Sequence, residues 1–321
     1  MRAVVLAGGL TFEREVSLRS GRRVADALRG AGVEAELHDA DAGLLAYLAE
    51  SAPDAAFIAL HGGPGEDGAV RGVLDLAGVP YAGSAPEACR LAFDKPIAKG
   101  LLRAAGVATP EAVTLPHSTF RELGAHAVLD RLLARLPLPL IVKPASGGSA
   151  LGATVVRDAA ALPAAMVHCF SYGDTALVER FVEGAELAVS VVDLDGSPRA
   201  LPAVEIVPKE GLFDYAARYT AGMTDYYTPA RLAEPVLAAA AAAALTAHRV
   251  LGLRDLSRTD LIVDATGTPW FLEVNVSPGM TETSMLPMSV AEAGLDLGAL
   301  CRDLLVRAAS RATPPPAGRA P

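Results

Sequence analysis

Short apolar runs alternate with amphipathic stretches over the N-terminal part of the chain. A run that ends at a Gly-Gly pair is typical of a buried strand and its turn, and apolar positions three and four residues apart are typical of a helix. The predicted elements are strands over residues 2–7, 33–37 and 55–60 and helices over residues 17–30 and 42–50. This alternation predicts a doubly wound parallel α/β sheet, in which ligands bind at loops beyond the carboxyl ends of the strands. The loops at residues 8–15 and 61–68 meet that condition.

Beyond residue 94 the pattern predicts a mixed α+β region. The predicted elements are helices over residues 95–105 and 232–251 and strands over residues 113–115, 138–143, 154–156, 176–179, 187–192 and 201–207. A Gly/Ser-rich loop at residues 145–152 separates two of these strands. The tail from residue 313 lacks core-forming side chains, and we expect it to be disordered.

Composition narrows the class of protein. The chain has 321 residues, of which 51% are hydrophobic and 20% charged, enough apolar material for about two packed domains. A net charge of −9 argues against a general nucleic-acid binder, which needs basic groups to replace condensed counterions. Three scattered cysteines indicate neither a disulfide framework nor a zinc site. No apolar run is long enough for a membrane span and the N-terminus is not typical of a signal peptide, so we expect an intracellular, cytoplasmic protein.

Residues 257–284 carry the most informative pattern. Two apolar runs flank a Thr-Gly turn and predict a β-hairpin with three opposed pairs: Arg258 and Asn275, Asp260 and Glu273, and Asp264 and Pro269. Like charges directly opposite each other are destabilising, so we expect something positive to sit between Asp260 and Glu273. Oxygen donors without Cys or His favour Mg²⁺ over zinc. The alternative is that Arg258 neutralises both carboxylates on a solvated face.

Three further segments have both a chemical and an ordinary interpretation. Lys143 precedes the Gly/Ser loop, which either brings backbone N–H groups to a phosphate or is a plain linker; it is neither a Walker A motif nor a dinucleotide fingerprint. The acids between Glu179 and Glu186 either accept hydrogen bonds from a nucleoside or are surface acids. Glu13 and its neighbours are either site residues or helix-start acids followed by an N-cap at Ser17, and His61 is either a site residue or a satisfied loop histidine.

Taken in order, these segments resemble the D-alanine–D-alanine ligases of the ATP-grasp superfamily. The matching stretches are GGLTFEREVSLRSG, ALHGGPGEDG, FDKPIAK, LIVKPASGGSALG, VERFVEGAE, FDYAARY, RTDLIVD and FLEVNVSPGMTETSMLP. The resemblance implies an N-terminal α/β substrate domain followed by a two-part ATP-grasp domain. The expected bounds are residues 1–94 for the N-terminal domain, 95–184 for the central subdomain, 185–312 for the C-terminal catalytic subdomain and 313–321 for the disordered tail.

The resemblance also implies a role for individual residues. Those expected to hold two Mg²⁺, or Mn²⁺, are Asp260, Glu273 and Asn275. Those expected to act on the two D-alanines are Glu13 and His61 for the first, Ser284 and the Met285 N–H for the second, and Arg258 and the Gly279 backbone for the oxyanion. Those expected to bind ATP are Lys95, Lys143 and Arg218 at the phosphates and Glu179, Val182 and Glu186 at the nucleoside. Those expected to tie down the closing loop with Glu13 are Ser149 and Tyr219.

Three positions depart from the family pattern. Arg218 replaces a common lysine, Ala150 a common serine and Val276 a common threonine. Arginine keeps the positive charge but not the point-like geometry of lysine, whereas Ala150 removes a hydroxyl that could contact phosphate. None of the three removes an indispensable group.

The implied function is ATP-dependent synthesis of D-alanyl-D-alanine through an acyl phosphate, for peptidoglycan precursors, by a homodimer that binds neither nucleic acid nor membrane. One alternative is a related ligase whose second substrate is D-serine, D-lactate or another amino acid. An alternative of another class is a non-catalytic nucleotide-binding protein. A dehydrogenase is disfavoured because the dinucleotide-binding glycine pattern is absent.

Overall fold

Three β-sheets with their helices make up the described part of this computed structural model, residues 1–209, 213, 217, 218, 220 and 222–311. The first sheet is parallel and the other two are antiparallel. Within the described residues, every helix is too short or too polar to cross a membrane. The predicted change from an α/β to an α+β region is confirmed.

The first sheet has strand order β2-β1-β3-β4 and helices on both faces. Its elements are β1 (Arg2–Ala7), α1 (Arg14–Gly30), β2 (Glu34–Asp39), α2 (Leu44–Ser51), β3 (Ala55–Ile58), α3 (Ala69–Ala77) and β4 (Tyr81–Ala82). Successive side chains of a strand point to opposite faces. Val5 therefore packs towards α1, whereas Val4 and Leu6 pack towards α2 and α3. The predicted doubly wound arrangement is confirmed.

The first helix begins earlier than the sequence pattern indicates, and the predicted N-cap at Ser17 is wrong. Ser17 lies inside α1 and is fully buried. Its hydroxyl donates to the Ala59 carbonyl and accepts from the Gly8 N–H, both at 2.8 Å. Ser17 thus joins the carboxyl ends of β1 and β3, because a buried hydroxyl needs partners on both sides.

The second sheet has strand order β5-β8-β6-β7. The elements of this region are α4 (Pro86–Phe93), α5 (Lys95–Ala104), β5 (Ala112–Pro116), α6 (His117–Leu123), α7 (Ala125–Arg135), β6 (Leu140–Pro144), β7 (Thr154–Val156), α8 (Leu162–Phe170) and β8 (Thr175–Arg180). The Gly/Ser loop joins β6 to β7, as predicted. Helices α4 and α5 pack elsewhere, against the strand at Pro269–Asn275 in the third sheet.

The third sheet has strand order β12-β11-β9-β13-β14, with β10 paired to β9. Its elements are β9 (Ala185–Val192), β10 (Arg199–Ala200), β11 (Val204–Pro208), β12 (Thr224–Tyr227), α9 (Glu234–Val250), β13 (Leu256–Val263), β14 (Pro269–Asn275), α10 (Met285–Glu292) and α11 (Leu297–Arg311). The single strand predicted over residues 201–207 is wrong in its first half, since residues 201–203 lie outside any strand.

The last helix returns to the first sheet. Leu304 and Leu305 of α11 share a buried cluster with Val24 and Leu28 of α1. The two helices approach closely at Gly298, where an added Cβ would lie 2.4 Å from the Ala27 carbonyl oxygen. The C-terminal segment therefore completes the core of the N-terminal domain.

The predicted hairpin exists, but its register changes along its length. Asp260 faces Glu273 and Arg258 faces Asn275, as predicted. A β-bulge follows Asp260, so that Val263, and not Asp264, faces Pro269. The bulge inserts one extra residue into β14 and shifts every pair nearer the turn. The predicted two-residue turn is therefore wrong, whereas the predicted register at Arg258, Asp260, Glu273 and Asn275 is confirmed.

Candidate active site

One pocket lies where loops from all three sheets meet. Its lining includes these residues from the predicted set: Glu13, His61, Lys95, Ser149, Arg218, Arg258, Glu273, Asn275, Gly279, Ser284 and Met285. The sheets supply different groups because each contributes the loops at one of its ends. Tyr219 is the one predicted site residue outside the described residues.

Glu13 lies in the loop between β1 and α1 and is buried. The Ser149 hydroxyl donates to one of its carboxylate oxygens, which joins the first sheet to the Gly/Ser loop of the second. A Cβ added at Gly62 would lie 2.5 Å from the other oxygen, and one at Gly148 would lie 2.9 Å from it. Burial raises the pKa of Glu13, although Ser149 and Arg218 oppose that shift. A cationic partner would therefore favour its ionised form.

His61 is held through both ring nitrogens. Nδ1 lies 3.1 Å from the Ser277 carbonyl oxygen and Nε2 lies 2.9 Å from the Ser20 hydroxyl. Burial lowers the pKa of His61 to about 4, so the ring is neutral at pH 7. The carbonyl accepts from Nδ1–H, which leaves Nε2 to accept from Ser20.

Sequence reasoning missed Ser20, although it lies one helical turn beyond Ser17 on the same buried face of α1. Its hydroxyl also accepts from the Met280 N–H at 3.1 Å. Ser20 thus connects His61 of the first domain to the loop that follows β14. The signal in the sequence was a pair of hydroxyls on the apolar side of an amphipathic helix.

Glu66 also lines the pocket, within the loop at residues 61–68, and the sequence pattern assigned it no role of its own. It is buried, and burial together with the nearby charge of Glu13 raises its pKa to about 8. Its carboxyl group is therefore mostly protonated at pH 7. A protonated acid can donate one hydrogen bond, which an ionised one cannot.

Two cations lie beside the two carboxylates of the hairpin. Arg258 donates to both oxygens of Asp260, at 2.7 and 2.8 Å, and both residues are 4% exposed. Lys95 Nζ lies 3.4 Å from a Glu273 oxygen and donates to the Gly147 carbonyl at 2.6 Å. Burial alone would raise the pKa of Glu273, but Lys95 and Lys143 outweigh it and lower the pKa to about 2. Each carboxylate therefore has its own cation beside it, and a positive group between the two stays a prediction. Arg258 neutralises Asp260, as the ordinary interpretation holds, but both residues are buried and do not lie on a solvated face.

The oxygen donors of the hairpin fit a magnesium ion. Glu273 is ionised and faces the pocket, and Asp260 lies directly across the strand pair from it. The Asn275 side-chain oxygen accepts from the Ser277 N–H at 2.8 Å, so its amide carbonyl has a fixed orientation. The described residues contain no cluster of three His, Cys, Asp or Glu side chains suited to a metal. A bound ion would therefore need ligands from the substrates as well as these three residues.

The loop after β14 ends at the start of α10. The Ser284 hydroxyl lies 3.0 Å from the Thr281 N–H and 2.9 Å from the Thr281 hydroxyl. A Cβ at Gly279 would lie 2.6 Å from the same hydroxyl, so a side chain there would force the Ser284 hydroxyl to move. Met285 begins the helix, and the first N–H groups of a helix have no partner within it and attract anions.

A second cavity, of about 600 Å³, lies between the second and third sheets. It is lined by these residues of the predicted ATP-binding set: Lys95, Lys143, Glu179, Val182, Glu186 and Arg218. Ser149, also predicted there, lies in the neighbouring pocket. Burial raises the pKa of Glu186 to about 7. The cavity adjoins the first pocket at Glu273 and Arg218, which line both.

Glu179 is the most buried acid of this cavity, at 1% exposed. Lys99 and Lys143 lie 3.2 and 3.3 Å from its two oxygens. Neither oxygen accepts a well-aligned hydrogen bond from any of the described residues. A buried carboxylate in that condition suits a ligand that donates, such as the amino group of adenine. Lys99 lies in the FDKPIAK stretch, but the family resemblance implied no role for it.

The Gly/Ser loop adopts a backbone conformation that is unusual for its side chains. Ser149 and Ala150 have φ values of 51° and 54°, in the left-handed region that favours glycine. The contact between Ser149 and Glu13 and that between Lys95 and Gly147 hold the loop. Arg218 donates to the Phe213 carbonyl at 3.0 Å and lies 4.2 Å from the centre of the Phe213 ring. Its charge therefore faces both cavities from a fixed position.

Two antiparallel sheets that enclose a nucleotide-sized cavity, preceded by a parallel α/β domain, define a ligase of the ATP-grasp class. The sequence profiles described as D-ala D-ala ligase C-terminus and D-ala D-ala ligase N-terminus match residues 101–306 and 36–84. The chain belongs to the D-alanine–D-alanine ligase family.

Individual relatives agree over nearly the whole chain. The D-alanine–D-alanine ligase of Anaeromyxobacter sp. strain Fw109-5 is 44% identical, and the alignment covers 97% of this chain and 98% of the relative. The structure of the Bacillus anthracis D-alanine–D-alanine ligase superposes with a TM-score of 0.82 at 31% identity, covering 97% and 98% of the two chains. The same enzyme complexed with ATP gives a TM-score of 0.79 at 29% identity, again covering 97% and 98%. The VanG D-Ala:D-Ser ligase of Enterococcus faecalis gives a TM-score of 0.80 at 27% identity, covering 95% and 98%.

Proposed function

We propose that this chain joins two D-alanines at the expense of ATP, forming D-alanyl-D-alanine, ADP and phosphate. The observation that carries the proposal is the pocket in which Glu13, Arg258, Glu273 and Ser284 meet beside the nucleotide cavity. The dipeptide would serve cell-wall precursor synthesis in the cytoplasm. We expect a homodimer, as the family resemblance implies.

In this proposal the first D-alanine binds through its ammonium group to Glu13. Its carboxylate is then free to attack the γ-phosphorus of ATP, so that a C–O–P linkage forms and ADP leaves. The amine of the second D-alanine attacks the acyl carbon, which releases phosphate and a proton. Arg258 and the Gly279 N–H would stabilise the oxyanion, since preorganised donors are worth more where charge develops in a buried site.

The second D-alanine would bind through its carboxylate at the start of α10. Ser284 supplies a hydroxyl and Met285 an N–H at the positive end of the helix. His61 would act close to the first D-alanine through the loop that it holds, because both of its nitrogens contact the protein.

Asp260, Glu273 and Asn275 would hold two Mg²⁺, or Mn²⁺, against the ATP phosphates. The ions would supply positive charge to the transferred phosphoryl group. Lys95, Lys143 and Arg218 add fixed positive charge on the same side, and their attraction for Glu273 keeps that carboxylate ionised. Ser149 and Tyr219 would tie the closing loop to Glu13.

The test is phosphate release from ATP by the purified chain with D-alanine, D-serine, D-lactate or L-alanine, together with the masses of the products. We expect release with D-alanine and the mass of D-alanyl-D-alanine. If D-alanine were supplied together with another of these compounds and only the mixed product formed, the choice of D-alanine as second substrate would be wrong. No release with any of the four, in a folded chain that binds ATP, would favour a non-catalytic nucleotide-binding protein.

D-serine is the one alternative second substrate that a comparison favours. The VanG ligase, whose name specifies D-serine, shares the fold at 27% identity. The curated relatives named for D-alanine reach 44% identity. The second D-alanine is therefore the better-supported choice, and equal rates with both acceptors in the assay above would contradict it.

A further inference from the structure

Lys99 is a fully buried lysine that the proposed reaction does not use. It lies on the inner face of α5 and is 2% exposed. Its Nζ donates to the Phe271 carbonyl at 2.9 Å and lies 3.2 Å from Glu179, with the Phe271 ring centre at 5.7 Å. Lysine is almost never fully buried unless it is paired, so its position needs a reason.

Burial makes this ammonium costly. It lowers the pKa of Lys99 to about 8, although the charge of Glu179 opposes the shift. Glu179 is in the converse position: burial alone would raise its pKa, and Lys143 and Lys99 outweigh that effect. Lys143 and Lys99 therefore keep Glu179 ionised, and Glu179 in turn supports the charge of Lys99, at a depth where burial opposes both charges.

The two lysines beside Glu179 differ in exposure and in how their ammonium groups are anchored. Lys143 is 13% exposed on its side chain and lies at the cavity wall, where it can turn towards a phosphate. Lys99 is anchored to a backbone carbonyl of β14 and cannot follow a ligand. If Lys143 moves to a nucleotide phosphate, Lys99 is the cation that stays with Glu179.

We propose that Lys99 is a positioning residue that keeps Glu179 fixed as an ionised acceptor for the exocyclic amino group of the base, and so makes the nucleotide site select 6-aminopurines. This rests on the proposed ATP site. A 6-oxopurine presents an oxygen at that position, which a carboxylate repels, and an unsubstituted purine presents no donor. A neutral Glu179 would no longer distinguish these bases strongly, because a protonated acid can donate as well as accept.

The experiment compares two nucleotides on four forms of the full chain. Calorimetry would give the dissociation constants of ATP and of purine riboside triphosphate, which lacks only the 6-amino group. The variants are Lys99→Met, which fills the space of the lysine stem, and Lys99→Gln, which can still donate to the Phe271 carbonyl without a charge. The control is Lys209→Met, which removes a charge from an exposed lysine.

We expect the wild type and Lys209→Met to bind ATP about 10–100-fold more tightly than the analogue. This is the difference in dissociation constant that one hydrogen bond to a charged group produces. In both Lys99 variants the ratio should fall below about threefold, because a neutral Glu179 makes a much weaker bond. A merely structural lysine would weaken both nucleotides alike and leave the ratio unchanged.

Three results would overturn the proposal in distinguishable ways. An unchanged ratio in Lys99→Gln and in Lys99→Met would show that Lys99 does not support base selection. Equal binding of the two nucleotides by the wild type would show that no amino contact exists, although the ligase activity could stand. Failure of the folded wild type to bind ATP at all would remove the proposed function itself.

Discussion

Burial and neighbouring charges together set the protonation of Glu66, His61 and Glu273 in the pocket, and the outcome differs between them. Glu66 has its pKa raised to about 8, and His61 has its pKa lowered to about 4, so both are neutral at pH 7. Glu273 is also buried, yet its pKa is lowered to about 2 because lysine and arginine charges surround it. The ionised Glu273 of the hairpin therefore faces the nucleotide cavity, and the neutral Glu66 and His61 lie on the side of the first sheet.

Replacing Glu13 tests whether it binds the first D-alanine. A charge-assisted hydrogen bond is worth about 1.5–3 kcal/mol, so Glu13→Gln should raise the KM of the tighter D-alanine site roughly 10–100-fold. The dissociation constant of an ATP analogue should change by less than about threefold, or under 1 kcal/mol. Steady-state kinetics and calorimetry measure the two. Weaker nucleotide binding with an unchanged KM for D-alanine would mean that Glu13 acts elsewhere.

Replacing Glu273 tests the proposed metal site. Glu273→Gln should abolish most turnover at every Mg²⁺ concentration, because an amide is a poor substitute for an ionised ligand. The melting temperature without ligands should not rise, since the carboxylate is the counter-charge for Lys95 at 3.4 Å. Activity across a Mg²⁺ series and thermal unfolding provide the measurements. Near-normal activity at low Mg²⁺ would contradict the metal assignment.

Among the elements, the β13–β14 hairpin reaches the register of its site residues through the structure of its own turn. The Asp264 side chain accepts from the Thr266 and Thr268 N–H groups at 2.9 and 3.1 Å and from the Trp270 indole at 2.8 Å. These bonds close a wider turn than a two-residue one, and the bulge then restores the opposition of Asp260 and Glu273. The hairpin thus reaches the register that the site needs by two compensating irregularities.

Asp264→Ala should lower the melting temperature at pH 7, because the turn loses its acceptor. Hydrogen bonds, that from Thr266 foremost, hold the pKa of Asp264 well below its usual range. A depressed carboxyl pKa stabilises the fold above the unfolded value of about 3.9 and stops doing so as the pH falls through the folded value. The difference in melting temperature between wild type and variant should therefore shrink below about pH 4. A difference that grows in acid would contradict this account.

In the molecule as a whole, the C-terminal helix fastens the first sheet to the third. Arg311 at the end of α11 donates to both oxygens of Asp255 at 2.7 Å and to the Tyr81 carbonyl at 3.2 Å. Asp255 is fully buried, lies just before β13 and also accepts from the Gly83 N–H at 2.7 Å. Its φ of 67° is in the left-handed region, which asparagine and aspartate tolerate better than most residues. The lobe that carries Glu13 is thereby held at a fixed distance from the hairpin.

Arg311→Met should lower the free energy of unfolding by about 1–3 kcal/mol, because it leaves the buried Asp255 carboxylate short of a partner. Urea unfolding measures the change. Arg302→Met is the matched control on the same helix, where the arginine is 43% exposed on its side chain. We expect that surface change to stay within about 0.5 kcal/mol. Equal effects of the two variants would mean that the contact with Asp255 contributes nothing specific.

The sequence by itself determined the elements and the chemistry of the hairpin. The spacing of apolar positions predicted the parallel sheet, because burial on both faces leaves short continuous apolar runs. Period-two alternation placed Asp260 and Glu273 opposite each other, and the opposition of two carboxylates required cations. The family motifs then indicated many of the charged residues that line the two cavities, among them Glu13, Arg258 and Glu273.

Only the tertiary structure decided which partners those residues have. Ser20 and Lys99 are separated from their partners by many positions along the chain, and no local pattern connects Lys99 to Glu179. Their roles depend on burial, which changes the cost of a charge and so selects the groups that must be paired. The packing of α11 against α1 is likewise a long-range contact that the sequence pattern does not specify. The apolar face of a helix shows that the helix must be covered, but it does not show which surface covers it.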